Sequence, residues 1–345
     1  MLDNKAGQKT EKTLYFEICR ITAVFCIMFQ HTGARGADAW MYTESTWVYM
    51  MSLAGRVISS IGVPLFWMVS GALLLPKKES WKKVYGKRIT RFAVVLVIFS
   101  VIRYFYLCIT GNQSGDVGDF FRRFYTQEIF LPYWFLYEYL GILLVLPFLR
   151  KMVQNLTEQE ERLLFALLLG WNALNDISNI FLGVSFVLNL HFRSSISYFI
   201  LGYLMENCRI PRRSERRGLR LDIGCAVLVA VVLNIRVCSQ HESEVLESLT
   251  MLLTISVYYL IRYIGEKSVW SNTILHYFIL WCGSNVFGIY LIEDYLRNAT
   301  AFIWEWSAPY ISAVPACCPW LLSVFLLGNV LVSGARRLPV FRDLL

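Results

Sequence analysis

Ten apolar stretches, each long enough to cross about 30 Å of hydrocarbon, run through this 345-residue chain. They leave room for little besides a bundle of membrane-spanning helices. They lie near residues 14–32, 50–75, 90–110, 129–149, 163–182, 186–205, 221–238, 246–264, 273–296 and 310–333. The pair between 163 and 205 has the softest boundaries, because Asn172, Asn175, Asp176, Asn179 and Arg193 interrupt it. Composition agrees: 56% of the residues are hydrophobic and 17% are charged, too few charges to cover a soluble surface. The expected fold class is all-α, a polytopic transmembrane helix bundle of about ten spans. The gaps between stretches are short and hold no low-complexity tract, so a single integral membrane domain over 1–345 is expected.

The basic residues orient the bundle. Lys5, Lys9 and Lys12 precede the first span, seven basic residues from Lys77 to Arg91 fill the second gap, and Arg150, Lys151 and Arg162 flank the fourth. The run Arg209–Arg220 marks the sixth gap, Arg262 and Lys267 the eighth, and Arg336, Arg337 and Arg342 the tail. Only scattered arginines such as Arg35, Arg122 and Arg297 fall on the other side. The positive-inside rule then puts both termini in the cytoplasm. The net charge of +8 belongs to topology, and no nucleic-acid partner is expected. The segment "MFQHTGARG" offers no small-residue cleavage site, so the first span is expected to be retained. Nine cysteines are scattered without a CxxC pair or a Cys/His cluster, and His191, His241 and His276 have no companions. No metal is expected. The adjacent Cys317 and Cys318 read as packed thiols in preference to a disulfide.

One stretch breaks the apolar rule. "YFEICRITAVFCIMFQHTG", Tyr15 to Gly33, holds Glu17, Arg20 and His31, and ionisable groups in hydrocarbon are expensive. Arg20 and His31 are eleven residues apart, about 20° from alignment and about 16 Å along a helix axis. They share one face. Glu17 sits one turn from Arg20 and can pair with it. In one account Arg20 pairs with Glu17 and snorkels inward while His31 rests at the outer interface. In the other, Arg20 holds an anionic group delivered from the cytoplasm and His31 serves as a general base.

This Arg, ten intervening residues and a His resemble the signature of acyltransferase family 3, integral membrane enzymes that move acyl groups onto sugars. Further stretches are similar to that family in order and spacing: "GVPLFWMVSGALLL" (Gly62–Leu75), "YWFLYEYLGILLVLPFLR" (Tyr133–Arg150), "SYFILGYLM" (Ser197–Met205) and "FGIYLIEDYL" (Phe287–Leu296). Where a His often follows the Tyr-Leu pair of the last motif, this chain has Glu293 and Asp294.

The resemblance implies a multi-pass plasma-membrane enzyme that takes an acyl group, commonly acetyl, from acyl-CoA (acetyl-CoA). The acceptor is a hydroxyl of a cell-envelope glycan or lipid-linked saccharide. His31 would be the base and Arg20 would face the CoA, with Lys83 and Arg88 in the basic gap also near its phosphates. Arg56, Ser70 or a tyrosine would serve as oxyanion donor on the donor side. Glu293 and Asp294 would orient His31, against the simpler account of a solvated rim paired with Arg297. Trp134, Tyr137 and Glu138 would meet the acceptor, although an aromatic belt accounts equally for the first two. Two other classes compete. A transporter would need broken helices at matching points of two halves, and Pro64, Pro132 and Pro147 all lie in the first half. A sensor keeping the scaffold without turnover would fit the Glu293 departure.

Overall fold

The computed structural model describes residues 2–111, 115–182, 194–207, 224, 227–228, 231–235, 246–267, 274–342 and 344. No strand occurs among them. The helices are α1 (Leu2–Gln30), α2 (Thr46–Ser59), α3 (Gly62–Leu74), α4 (Trp81–Ile109), α5 (Val117–Thr126) and α6 (Trp134–Gln154). They continue with α7 (Glu158–Leu182), α8 (Ser194–Asn207), α9 (Glu247–Lys267), α10 (Ile274–Ala299), α11 (Ala301–Ile311), α12 (Ala313–Ala335) and the short α13 (Pro339–Arg342).

Among the described residues six segments are long and apolar enough to cross a membrane: Thr46–Leu74, Trp81–Ile109, Leu131–Gln154, Glu247–Gly265, Ile274–Ala299 and Ala313–Ala335. They coincide with six of the ten expected spans and make this a membrane protein. The stretches at 14–32 and 163–182 are helical within α1 and α7 but carry Glu17, Arg20, Asn172 and Asp176, and they fall outside the six. The stretch at 186–205 is described only from Ser194. Most of 221–238, the basic run Arg209–Arg220, and His191, Arg193 and His241 lie outside the described residues.

The chain forms two compact units, Met1–Leu73 with Thr157–Gly334 and Leu74–Leu156 with Ala335–Leu345. In the first, α1 packs on α10, α9 and α2. Tyr15, Cys19, Ala23 and Ile27 recur every fourth residue on its buried stripe, the spacing of one helix face. The expected span at 50–75 is two helices broken at Ser60 and Ile61. Pro64 lies in the first turn of α3, where its missing N–H costs nothing, and that turn closes through Leu65 N–H to the Ile61 carbonyl at 2.9 Å. Between α10 and α12, Asn285 Nδ2 donates to Asn329 Oδ1 at 3.2 Å and to Ser333 Oγ at 2.9 Å. Trp281 Nε1 also donates to Ser333 Oγ, at 2.8 Å. Such interhelical polar bonds are favoured where lipid offers no alternative partner.

A close crossing joins α3 to α8. A methyl added at Gly71 would overlap the Phe199 carbonyl, and one at Gly202 would overlap the Met68 carbonyl. Each glycine thus faces the other helix's backbone, the arrangement by which small residues let membrane helices touch.

In the second unit, α4 opens with a π-helical turn, Val84–Ile89, before continuing as α-helix from Thr90. Helix α6 follows a short 3₁₀ turn, Leu131–Tyr133. Near its other end Arg150 Nε donates to the Leu74 carbonyl at 2.9 Å and Gln154 Nε2 to the Leu75 carbonyl at 2.6 Å, satisfying carbonyls at the end of α3.

Gly71→Ala and Gly202→Ala are each expected to destabilise the protein by about 1–3 kcal/mol through overpacking. Gly170→Ala, on α7 where an added methyl meets nothing, is the control. Detergent-solubilised thermal unfolding measures the difference.

Candidate active site

His31 directly follows α1, and its N–H continues the helical ladder to the Ile27 carbonyl at 3.0 Å. Opposite it on α10 stands Glu293, buried to within 1% of its surface. Glu293 Oε1 lies 2.6 Å from His31 Nδ1. A carboxylate accepts, so the proton of this bond sits on Nδ1, and in the neutral imidazole Nε2 then carries the lone pair. Among the described residues Nε2 has no partner, and the His31 side chain keeps 24% of its surface exposed. A carboxylate holding one ring nitrogen while the other faces outward is the arrangement that fixes a histidine's tautomer and direction in acid–base catalysis.

Arg297, one turn beyond Glu293, completes the group. Its Nε donates to Glu293 Oε2 at 3.0 Å and its Nη2 to Asp294 Oδ1 at 2.8 Å. Its Nη1 donates to the backbone carbonyl of His31. The Arg297 pairing is present, but Glu293 is buried and not on a solvated rim, and its two oxygens meet His31 and Arg297 separately. Asp294 is brought into the same group through Arg297. The sequence marks Arg297 only as a rim partner. Its four-residue spacing from Glu293 signals the ion pair, but nothing in the sequence signals its bond to His31.

The residues after His31 form a braced loop. Thr32 Oγ1 donates to the Phe29 carbonyl at 2.6 Å and accepts from Ala37 N–H at 2.9 Å. Ser52 Oγ donates to the Gly36 carbonyl at 2.6 Å. The Arg35 guanidinium lies 5.3 Å from the Trp304 ring centre and 5.4 Å from that of Trp320, a favourable cation–π distance. Arg56 is engaged by Asp38 in an ion pair. Ser70 is half-buried on α3, next to the glycine of the α3–α8 crossing.

Arg20 lies eleven residues before His31 on α1, so the continuous helix sets their separation at about 16 Å. Its Nη1 donates to Glu17 Oε1 at 2.5 Å, as the one-turn spacing suggests. Among the described residues the other Glu17 oxygen, which is buried, has no hydrogen-bond partner; it lies beside Gly283 of α10.

The remaining candidates belong to the second unit. Glu79 gathers a cluster of cations there. Arg88 Nε and Nη2 donate to its two oxygens at 3.0 and 2.8 Å, Arg150 Nη2 donates at 3.1 Å, and Lys83 Nζ approaches to 3.5 Å. Arg88 foremost, with Arg150 and against the opposing effect of burial, holds the Glu79 carboxyl down at about 2 from its ordinary 4.5. The basic gap is thus partly an ion-paired structure. Tyr137 Oη donates to the Phe124 carbonyl at 2.6 Å, whereas Trp134 lines a cavity of about 470 Å³ with Arg123, Thr126, Gln127, Glu128 and Leu131. Glu138 is half-buried on α6, one turn beyond Trp134. Among the described residues no three His, Cys, Asp or Glu side chains gather as a metal site. Cys317 and Cys318 are free thiols, the first buried and the second exposed.

A family model described as an acyltransferase domain matches residues 13–334. No curated protein and no solved structure matches the chain.

The Glu79 cluster carries a pH signature. Because the folded value lies below the ordinary one, its stabilisation is present above about pH 4.5 and is lost as pH falls through about 2. Thermal unfolding of the protein beside Glu79→Gln should show a gap that is constant above about pH 5 and closes toward about pH 2.

Proposed function

This chain belongs to that acyltransferase family, and from this premise we propose that it transfers acetyl from acetyl-CoA to a hydroxyl of a cell-envelope glycan or lipid-linked sugar. The observation that carries the reading is the 2.6 Å bond from His31 Nδ1 to buried Glu293, which leaves Nε2 available as a base.

In this reading the acceptor hydroxyl gives its proton to His31 Nε2 as its oxygen attacks the thioester carbonyl. The new carbon–oxygen bond forms a tetrahedral intermediate, and collapse breaks the carbon–sulfur bond. The CoA thiolate leaves with the proton that His31 returns, so the enzyme ends as it began. Glu293 stabilises the imidazolium formed midway and keeps the tautomer correct. Base assistance of this kind is typically worth about 10²–10⁴ in rate. Arg297 is a positioning residue that acts through Glu293 and the His31 backbone. Arg56 or Ser70 supplies the oxyanion donor. Arg20, Lys83 and Arg88 meet the phosphates of CoA on the cytoplasmic side, and Trp134, Tyr137 and Glu138 meet the acceptor.

The topology that suits this reaction is one integral domain of ten spans in the plasma membrane with both termini in the cytoplasm. The thioester is made inside and the sugar is presented outside, so a charged inner end and an imidazole at the outer end of one helix fit the task. The distribution of basic residues along the sequence supports it.

The test is transfer of labelled acetyl from acetyl-CoA to an envelope-glycan panel by the purified protein in lipid. His31→Ala should lower the rate by about 10²–10⁴. Glu293→Gln should also reduce it strongly while leaving the thermal unfolding transition cooperative. An Arg297→Lys variant should lose less than either. Equal turnover by His31→Ala and the parent protein would refute the assignment.

A further inference from the structure

Helix α5 is an element the span pattern did not anticipate, and the reaction does not use its outward face. Its sequence, VGDFFRRFYT, sorts into three stripes. Phe120 and Phe124 turn toward their own unit, Phe120 edge-on to Tyr104 at 5.3 Å and Phe124 against Tyr137 at 5.9 Å. Arg122, Asp119 and Thr126 form a polar stripe, with Arg122 Nη2 3.0 Å from Asp119 Oδ1. Val117, Phe121 and Tyr125, spaced by four, form a third stripe that is apolar and exposed, Phe121 by 64% and Tyr125 by 88%.

Both ends of α5 are tied to spans. Tyr104 Oη donates to the Asp116 carbonyl at 2.9 Å and to Asp119 Oδ2 at 3.2 Å. Tyr137 Oη donates to the Phe124 carbonyl at 2.6 Å. Tyr104 stands five residues before the end of α4 and Tyr137 three residues after the start of α6, depths of about 7 Å and about 5 Å at the helical rise. Amphipathic helices that lie in a membrane surface bury their apolar face about 5–10 Å into the boundary between headgroups and acyl chains. The tethers attach α5 to α4 and α6 at points whose distance from the helix ends is comparable with that depth. Large apolar side chains are also exposed near the ends of the two flanking spans: Phe105 and Ile109 on α4, and Leu131 before α6.

We propose that α5 is an interfacial helix whose Val117–Phe121–Tyr125 stripe is seated in the bilayer surface, with phospholipid as its partner. The polar stripe led by Arg122 faces the headgroups and water. The cavity lined by Arg123, Glu128 and Trp134 then opens at headgroup level, within reach of a membrane-anchored ligand as opposed to one free in bulk solvent. The inference concerns a surface and stands apart from the acyl-transfer chemistry.

The experiment uses the full chain in phosphatidylcholine nanodiscs, with trifluoromethylphenylalanine placed at position 121, 122 or 125, one at a time. Fluorine relaxation is measured with a shallow doxyl-labelled lipid and with a soluble gadolinium chelate. For a seated stripe, the lipid probe should exceed the chelate by about threefold or more at 121 and 125, with the order reversed at 122. Chelate-dominated relaxation at 121 and 125 would put the stripe in water and overturn the proposal. Protection from both probes would mean that a protein surface covers it, which also overturns it. All three positions are exposed, so the packing of the unit does not depend on them.

Discussion

A carboxylate sealed from water must find partners for both oxygens or give up its charge. Glu293 finds them in His31 and Arg297, and that requirement organises the end of the molecule where α1 meets α10. Satisfying the buried acid directs the imidazole, draws the arginine inward, and through the arginine captures the carbonyl at the end of α1. The braced loop beyond His31, held by Thr32, Ser52 and the Arg35 stack, keeps the neighbouring chain from disturbing this geometry. Stability and chemistry share the same contacts here, because the bonds that make burial tolerable also choose which ring nitrogen stays open.

The sequence made some of this visible and concealed the rest for physical reasons. Apolar run length located six spans, five of them to within about five residues at each end and the one expected at 90–110 starting at Trp81 instead, since crossing hydrocarbon leaves few alternatives. It missed the break at Ser60 and Ile61, because a proline within a hydrophobic run does not lower hydropathy. It also passed over α5 as a gap. A ten-residue surface helix is too short to register as a span, although the four-residue spacing of Val117, Phe121 and Tyr125 is present in the sequence. The Gly71 and Gly202 pairing was hidden, because small residues announce a close contact without naming the partner helix.

The site shows the same division. His31 and Arg20 stood out as costly residues in an apolar stretch, and the Arg20–Glu17 pair followed from one turn of helix. The contact between His31 and Glu293 joins residues 262 positions apart and could be argued only from the depth each was expected to occupy. Its supporting arginine was legible as a neighbour of Glu293 and not as a clamp on α1. Glu79 was invisible as an organiser, because along the chain it is a lone acid among many cations. Nothing local marks it as the group that draws Arg88, Arg150 and Lys83 together.

The π-helical turn at Val84–Ile89 has one further implication. A wider turn accommodates one more residue than regular coiling requires, so the helix before it is out of phase by about 100° with the helix after it. That offset lets Lys83 and Arg88 gather at Glu79 while the apolar faces from Thr90 onward keep their own register. Shortening the chain there by a single residue would leave a helix long enough to span and turn Glu79 and Lys83 together away from Arg150, the cation of α6 that meets this acid.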